Sequence, residues 1–141
     1  MNRKVGVFLT VVLLGTAAWA ADTSGDAKVA RGKYLVTSVG MCGDCHSPMN
    51  EKGEPVEGQW LKGSTLGFKP MVEMPAWADK APAIAGMAGW SDAEALKFLM
   101  TGLDSTGNMA RPPMPRYRFS KEDASAVLAY LRSLAPKKTG K

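Results

Sequence analysis

The sequence predicts an all-α domain of three to four main helices joined by long loops. Apolar residues recur at three- and four-residue spacing in three stretches, each opened by a residue suited to capping a helix. Between those stretches the chain is rich in Pro and Gly, and no run of apolar and polar alternation reads as a convincing strand. No internal repeat is present.

The first helix is expected over 26–39, with Asp26 as its cap. Ala27, Ala30 and Tyr34 recur on one face, with Val29, Val36 and Val39 beside them. Gly32 costs such a helix about 1 kcal/mol against Ala, a cost that close approach of another group would explain. Residues 47–63 read as loop. Residues 64–89 are irregular, with Pro70, Pro75 and Pro82 and the apolar residues Phe68, Met71, Met74, Trp77 and Ile84. Some of these are expected to line a pocket.

The second long helix is expected over 92–101. Ser91 and Glu94 stand at capping-box spacing, Leu96, Leu99, Met100 and Leu103 form its apolar side, and Gly102 ends it. A loop over 104–119 follows, with Pro112-Pro113-Met114-Pro115 at its centre. The last helix spans 121–134. Ser120 caps it, Glu122 and Asp123 suit its first turn, and Ala124, Val127, Leu128, Leu131 and Leu134 form its apolar face. Pro136 stops it.

The N-terminus carries Arg3 and Lys4, an apolar stretch over 5–15, and Ala18-Trp19-Ala20, the pattern of a secretory signal peptide cut after Ala20. The apolar stretch is short for a membrane span; left uncleaved, it would become an anchor. The expected organisation is a signal peptide over 1–20, a polar leader over 21–25, one domain over 26–135 and a basic disordered tail over 136–141. Removing residues 1–20 from 141 leaves 121, the size of one domain. Arg3 and Lys4 leave with the signal, so the formal charge falls from +5 to +3. That balance excludes a nucleic-acid-binding role.

The two cysteines and the single histidine of the chain all fall in Cys42-Gly43-Asp44-Cys45-His46. C-x-x-C-H is the attachment signature of c-type haem. Each thiol adds across a haem vinyl group, and the adjacent imidazole sits under the iron. Cys42 and Cys45 are therefore the expected thioether residues of one covalent haem, and His46 the proximal iron ligand. The second ring nitrogen of His46 needs an acceptor to fix the ring, and a backbone carbonyl in the 47–63 loop is expected. A dithiol oxidoreductase is the competing reading of C-x-x-C, but it favours a βαβ setting that this chain lacks.

The chain resembles class I cytochrome c domains, in particular the monohaem domains in cytochrome subunits of periplasmic alcohol and related dehydrogenases. The resemblance rests on Ala30-Arg31-Gly32-Lys33-Tyr34-Leu35-Val36 leading to Cys42–His46, on Leu61-Lys62-Gly63, and on Gly89-Trp90-Ser91-Asp92-Ala93-Glu94. It closes on Pro113-Met114-Pro115-Arg116-Tyr117 and Ala129-Tyr130-Leu131-Arg132-Ser133-Leu134. It implies a class I cytochrome c fold around one haem, with the N- and C-terminal helices crossing where Gly32 meets Tyr130.

The resemblance also implies a methionine as distal iron ligand, at the Pro-Met-Pro. Nine methionines are present. Met114 is the first candidate, because Pro113 and Pro115 restrict its backbone to an extended form; Met109 is the alternative. Met100, at helical spacing, reads as core filling. For the haem propionates, Trp60 or Trp90 and Arg111, Arg116 or Arg118 are candidates, each with a plain structural alternative. Asp44 reads as exposed and without a catalytic role.

A thioether favours the ferrous state, raises the reduction potential and closes the sixth site. That suits outer-sphere electron transfer better than substrate chemistry. The expected function is a periplasmic monohaem carrier moving single electrons between a dehydrogenase or membrane oxidoreductase and a terminal acceptor. Its partners would be redox proteins, with membrane contact limited to transient docking unless the signal is retained. The alternatives are a fixed haem subunit of a periplasmic dehydrogenase complex, and a haem enzyme or gas sensor with a labile sixth ligand.

Overall fold

Helix α1 (Thr23–Tyr34) opens the computed structural model, which describes residues 23–136. It runs into a π-helical turn (Leu35–Val39), and the short helix α2 (Cys42–His46) follows. After a long loop come the strands β1 (Ser64–Thr65) and β2 (Lys80–Ala81), a 3-10 turn (Ala85–Met87), α3 (Asp92–Thr101) and α4 (Lys121–Ser133). The all-α expectation holds for every long element. The added hairpin pairs Ser64 with Ala81 and Thr65 with Lys80, antiparallel; two-residue strands are too short to show alternation in a sequence. The expected signal peptide lies outside the described residues.

Helix α1 starts inside the stretch expected as a leader, so Asp26 sits in the first turn, where its charge suits the helix dipole, and does not cap. The buried face also differs from the expected one. Ala27, Ala30 and Tyr34 are exposed, while Gly32, Leu35 and Val36 are buried and Val29 is half-buried. The reason is the crossing with α4. A β carbon on Gly32 would lie 1.9 Å from the Ala126 carbonyl oxygen and 2.9 Å from Tyr130 Cβ. Only the face bearing Gly32 lets the two helices approach this closely. Arg31 donates to both carboxylate oxygens of Asp123 at 2.9 and 3.2 Å beside the crossing.

Helix α3 carries its capping box: Ser91 Oγ accepts from the Glu94 N–H, and Glu94 Oε2 accepts from the Ser91 N–H at 2.9 Å. It buries Ala95 and Leu99, whereas Met100 lies on the outer side, 37% exposed, and is not core filling. Gly102 ends the helix in the left-handed region. Helix α4 buries Ala124, Ala126, Val127, Leu128, Tyr130 and Leu131. Its Arg132 guanidinium donates to the carbonyls of Gly86, Met87 and Trp90 and to Asp92. One side chain thereby ties α4 to the 3-10 turn and to the start of α3. The core formed by Leu35, Val36, Leu61, Leu99, Val127 and Leu131 sits between these helices and the C-x-x-C-H turn.

Candidate functional site

The π-helical turn closes with the Gly40 N–H donating to the Leu35 carbonyl at 2.7 Å. Met41 then takes a left-handed conformation, φ 46°, and turns the chain into α2. In a helical turn, residues three apart share a face, so Cys42 and Cys45 present both thiols to one side. His46 is buried at 5% exposure. Its Nδ1 lies 2.7 Å from the Pro82 carbonyl oxygen. A carbonyl only accepts, so Nδ1 carries the proton and Nε2 keeps a free lone pair.

Pro82 is not in the 47–63 loop expected to supply this acceptor. The chain returns instead through Gly63, whose N–H donates to the His46 carbonyl at 2.8 Å. A β carbon on Gly63 would meet Ala83 N at 2.9 Å. That close pass, together with the β1–β2 pairing, brings the 80–84 segment alongside the imidazole.

Cys42, Cys45, His46 and Met114 all line one cavity of about 570 Å³. Its walls are mostly apolar and include Leu35, Val36, Met87, Leu99, Val127 and Leu131. Met109 lines it too, but is 62% exposed. Of the apolar residues expected to line a pocket from 64–89, Ile84 does so, while Phe68, Met71 and Met74 are exposed.

Met114 follows a tight turn centred on Pro112 and Pro113. Its N–H donates to the Arg111 carbonyl at 3.1 Å and closes that turn. Pro112 and Pro113 have no N–H to offer, so Met114 supplies the first donor after Arg111. The turn is anchored on several sides. The Ala78 N–H donates to the Pro112 carbonyl at 2.7 Å. Arg111 donates to the carbonyls of Ala76 at 3.0 Å and Trp77 at 2.6 Å. Arg116 donates to the Thr101 carbonyl at 2.7 Å, and the Tyr117 hydroxyl donates to the Gly40 carbonyl. Lone arginines and a tyrosine in a loop carry no periodic signal, so sequence reasoning did not find these anchors.

The tryptophans divide differently from expectation. Trp60 donates its indole N–H to Tyr130 Oη at 3.0 Å. It also packs against Gly43, where a β carbon would lie 2.3 Å from its ring; it is a core residue and not a propionate partner. Trp90 lines the cavity and meets Phe98 edge-on. Trp77 Nε1 is the buried side-chain polar atom left without a protein partner among the described residues. Of the arginines, Arg116 is committed to Thr101, and Arg111 lines the cavity.

Burial pushes the Cys42 thiol up to about 11 and raises Cys45 as well. A thiol that reacts by exchange needs the opposite shift, which disfavours dithiol chemistry. Burial lowers His46, partly opposed by its bond to Pro82, so the imidazole is neutral at neutral pH, the form that binds metals. Two thiols, a neutral imidazole with a free Nε2 and a thioether around an apolar cavity form a donor set that fits a covalently attached haem.

Residues 29–135 match the cytochrome c family. The chain belongs to that family of haem-bearing electron-transfer proteins, and its mostly α architecture is the class I cytochrome c fold. Among curated relatives, it is 32% identical to the fructose dehydrogenase cytochrome subunit of Gluconobacter japonicus, over 76% of this chain and 22% of that protein. It is 31% identical to the cytochrome c subunit of a quinone alcohol dehydrogenase of Gluconobacter oxydans, over 100% of this chain and 31% of that protein. It is 29% identical to a dihaem c-type cytochrome of Cereibacter sphaeroides, over 93% of this chain and 44% of that protein. The chain thus spans less than half the length of these relatives. No helix among its described residues is long and apolar enough to cross a membrane.

Proposed function

We propose that this protein is a periplasmic electron carrier with one haem c, fixed by thioethers to Cys42 and Cys45 and held axially by His46 and Met114. The observation that carries the reading is the meeting of these four residues on one apolar cavity, from segments nearly seventy positions apart in sequence. Bound there, a haem supplies an iron that alternates between ferrous and ferric. The protein's own part is to hold that group and keep its surroundings fixed. With its ring locked by Pro82, His46 would hold the iron through Nε2, and the Met114 thioether on the same cavity would supply the second ligand. The apolar walls exclude water, which keeps reorganisation on electron transfer small. Arg111, which lines the cavity, is the arginine best disposed to receive a propionate.

Residues 1–20 are the signal that would deliver the chain to the periplasm, where haem attachment and redox partners are found. The partner is a dehydrogenase or membrane oxidoreductase on one side and a terminal acceptor on the other. The relatives' names favour a second reading, in which the domain is a resident haem subunit of a dehydrogenase complex. The exposed Phe68, Met71 and Val72 would then face the larger subunit.

Spectroelectrochemical titration of the purified protein tests the carrier reading. One haem per chain and a single reversible one-electron wave, with slow carbon monoxide binding to the reduced form, are expected. A second wave, or rapid carbon monoxide binding, would contradict it. Co-purification with a larger subunit, with loss of the wave on separation, would move the assignment to the second reading.

A further inference from the structure

The segment that carries Met114 meets the haem-attachment side of the cavity through one side-chain hydrogen bond among the described residues. The Tyr117 hydroxyl, three positions after Met114, donates to the carbonyl of Gly40, two positions before Cys42. The other side-chain anchors of this segment lead elsewhere: Arg111 to the carbonyls of Ala76 and Trp77, Arg116 to that of Thr101.

The surroundings fit the two groups to each other. The Tyr117 ring stacks on Phe119 at 5.1 Å between centroids and 13° between planes, which fixes the direction of its hydroxyl. A β carbon on Gly40 would lie 3.2 Å from Cys42 Sγ, 3.2 Å from the Leu35 carbonyl oxygen and 3.4 Å from the Tyr117 hydroxyl. A side chain there would crowd all three. Burial raises the Tyr117 phenol above its ordinary value, so it remains a donor throughout the neutral range.

We propose that Tyr117 is a positioning residue whose bond to Gly40 ties the Met114 turn to the C-x-x-C-H turn and so protects the Met114 thioether from displacement by outside ligands. The inference rests on the Met114 assignment above. Displacing a distal thioether requires its turn to move away from the cavity. With the tie in place that movement also breaks a half-buried hydrogen bond; without it, the Met114 side of the cavity opens independently of the attachment side.

The test is imidazole titration of the oxidised holoprotein, read by loss of the weak far-red Met-to-iron band. Tyr117→Phe keeps the ring and its stack on Phe119 and removes the hydroxyl. Its apparent Kd for imidazole should fall roughly fivefold, the scale of one lost hydrogen bond, and carbon monoxide should bind the reduced variant faster by a similar factor. Tyr130→Phe is the comparison: it removes the hydroxyl that accepts from Trp60, away from the cavity. That variant should lose stability and keep wild-type imidazole affinity, which separates positioning from a general loss of packing. Equal imidazole affinity in Tyr117→Phe and wild type would overturn the proposal, as would an equal gain in Tyr130→Phe. Failure of Tyr117→Phe to attach haem would also overturn it, since the hydroxyl would then serve attachment. Met114→Ala separates the two readings. If it retains the far-red band, the ligand assignment falls and takes this inference with it. If it loses the band while Tyr117→Phe matches wild type, the inference falls alone.

Discussion

A single missing methyl group sets the closest helix contact in this protein. Gly32 is buried against the Ala126 carbonyl, and a β carbon would overlap backbone that has no rotamer to escape into. Gly32→Ala should therefore cost at least about 2 kcal/mol, toward the upper part of the usual overpacking range, measured by urea unfolding. Gly25→Ala, where nothing lies within 4 Å, should be neutral or slightly stabilising. Equal stability of the two variants would mean that the crossing is looser than described. At this scale the sequence was informative where chemistry is local. C-x-x-C-H reads directly because its residues act within one turn. The Pro82 acceptor does not, because it depends on where a loop thirty-six positions later passes. The choice between the two readings of Trp60 was out of reach for the same reason: its indole finds Tyr130, seventy positions away.

Helix α3 shows what local sequence can specify at the scale of an element. Ser91, Glu94 and Gly102 mark both ends, and both ends lie where those residues predict. The capping box also has a pH signature. The Ser91 hydroxyl and N–H hold the Glu94 carboxyl below its ordinary value of 4.5. A depressed carboxylate contributes stability that is present above the unfolded value and is lost as pH falls through the folded one. Ser91→Ala should lower stability by about 1 kcal/mol at neutral pH and flatten the loss below about pH 4.5. Urea midpoints at pH 7 and pH 4 check both, and an unchanged acid slope would contradict the capping role. Helix α1 was harder to read. Its apolar residues fall on two faces, and only the crossing with α4 selects the one bearing Gly32. The turn over Pro112 and Pro113 was likewise not read from the sequence, because prolines restrict dihedral angles without saying which neighbour closes a hydrogen bond.

At the scale of the whole molecule, the helices matter for what they bring together. The N-terminal segment delivers two thiols and an imidazole, the C-terminal segment delivers a thioether, and the α1–α4 crossing closes the fold behind them. The anchors of the Met114 turn reach residues 40, 76–77 and 101, so that turn is held by three separate parts of the chain. The helical class and the attachment motif were legible in the sequence because each is written in short-range spacing. The cavity was not, because its walls are drawn from almost every segment. The measurement that tests the account most directly is the optical spectrum of the oxidised protein in wild type, Met114→Ala and Met109→Ala. A low-spin c-type spectrum with the far-red band, lost in Met114→Ala and kept in Met109→Ala, is the predicted result. A high-spin wild-type spectrum, or a band that survives Met114→Ala, would contradict the His46/Met114 centre.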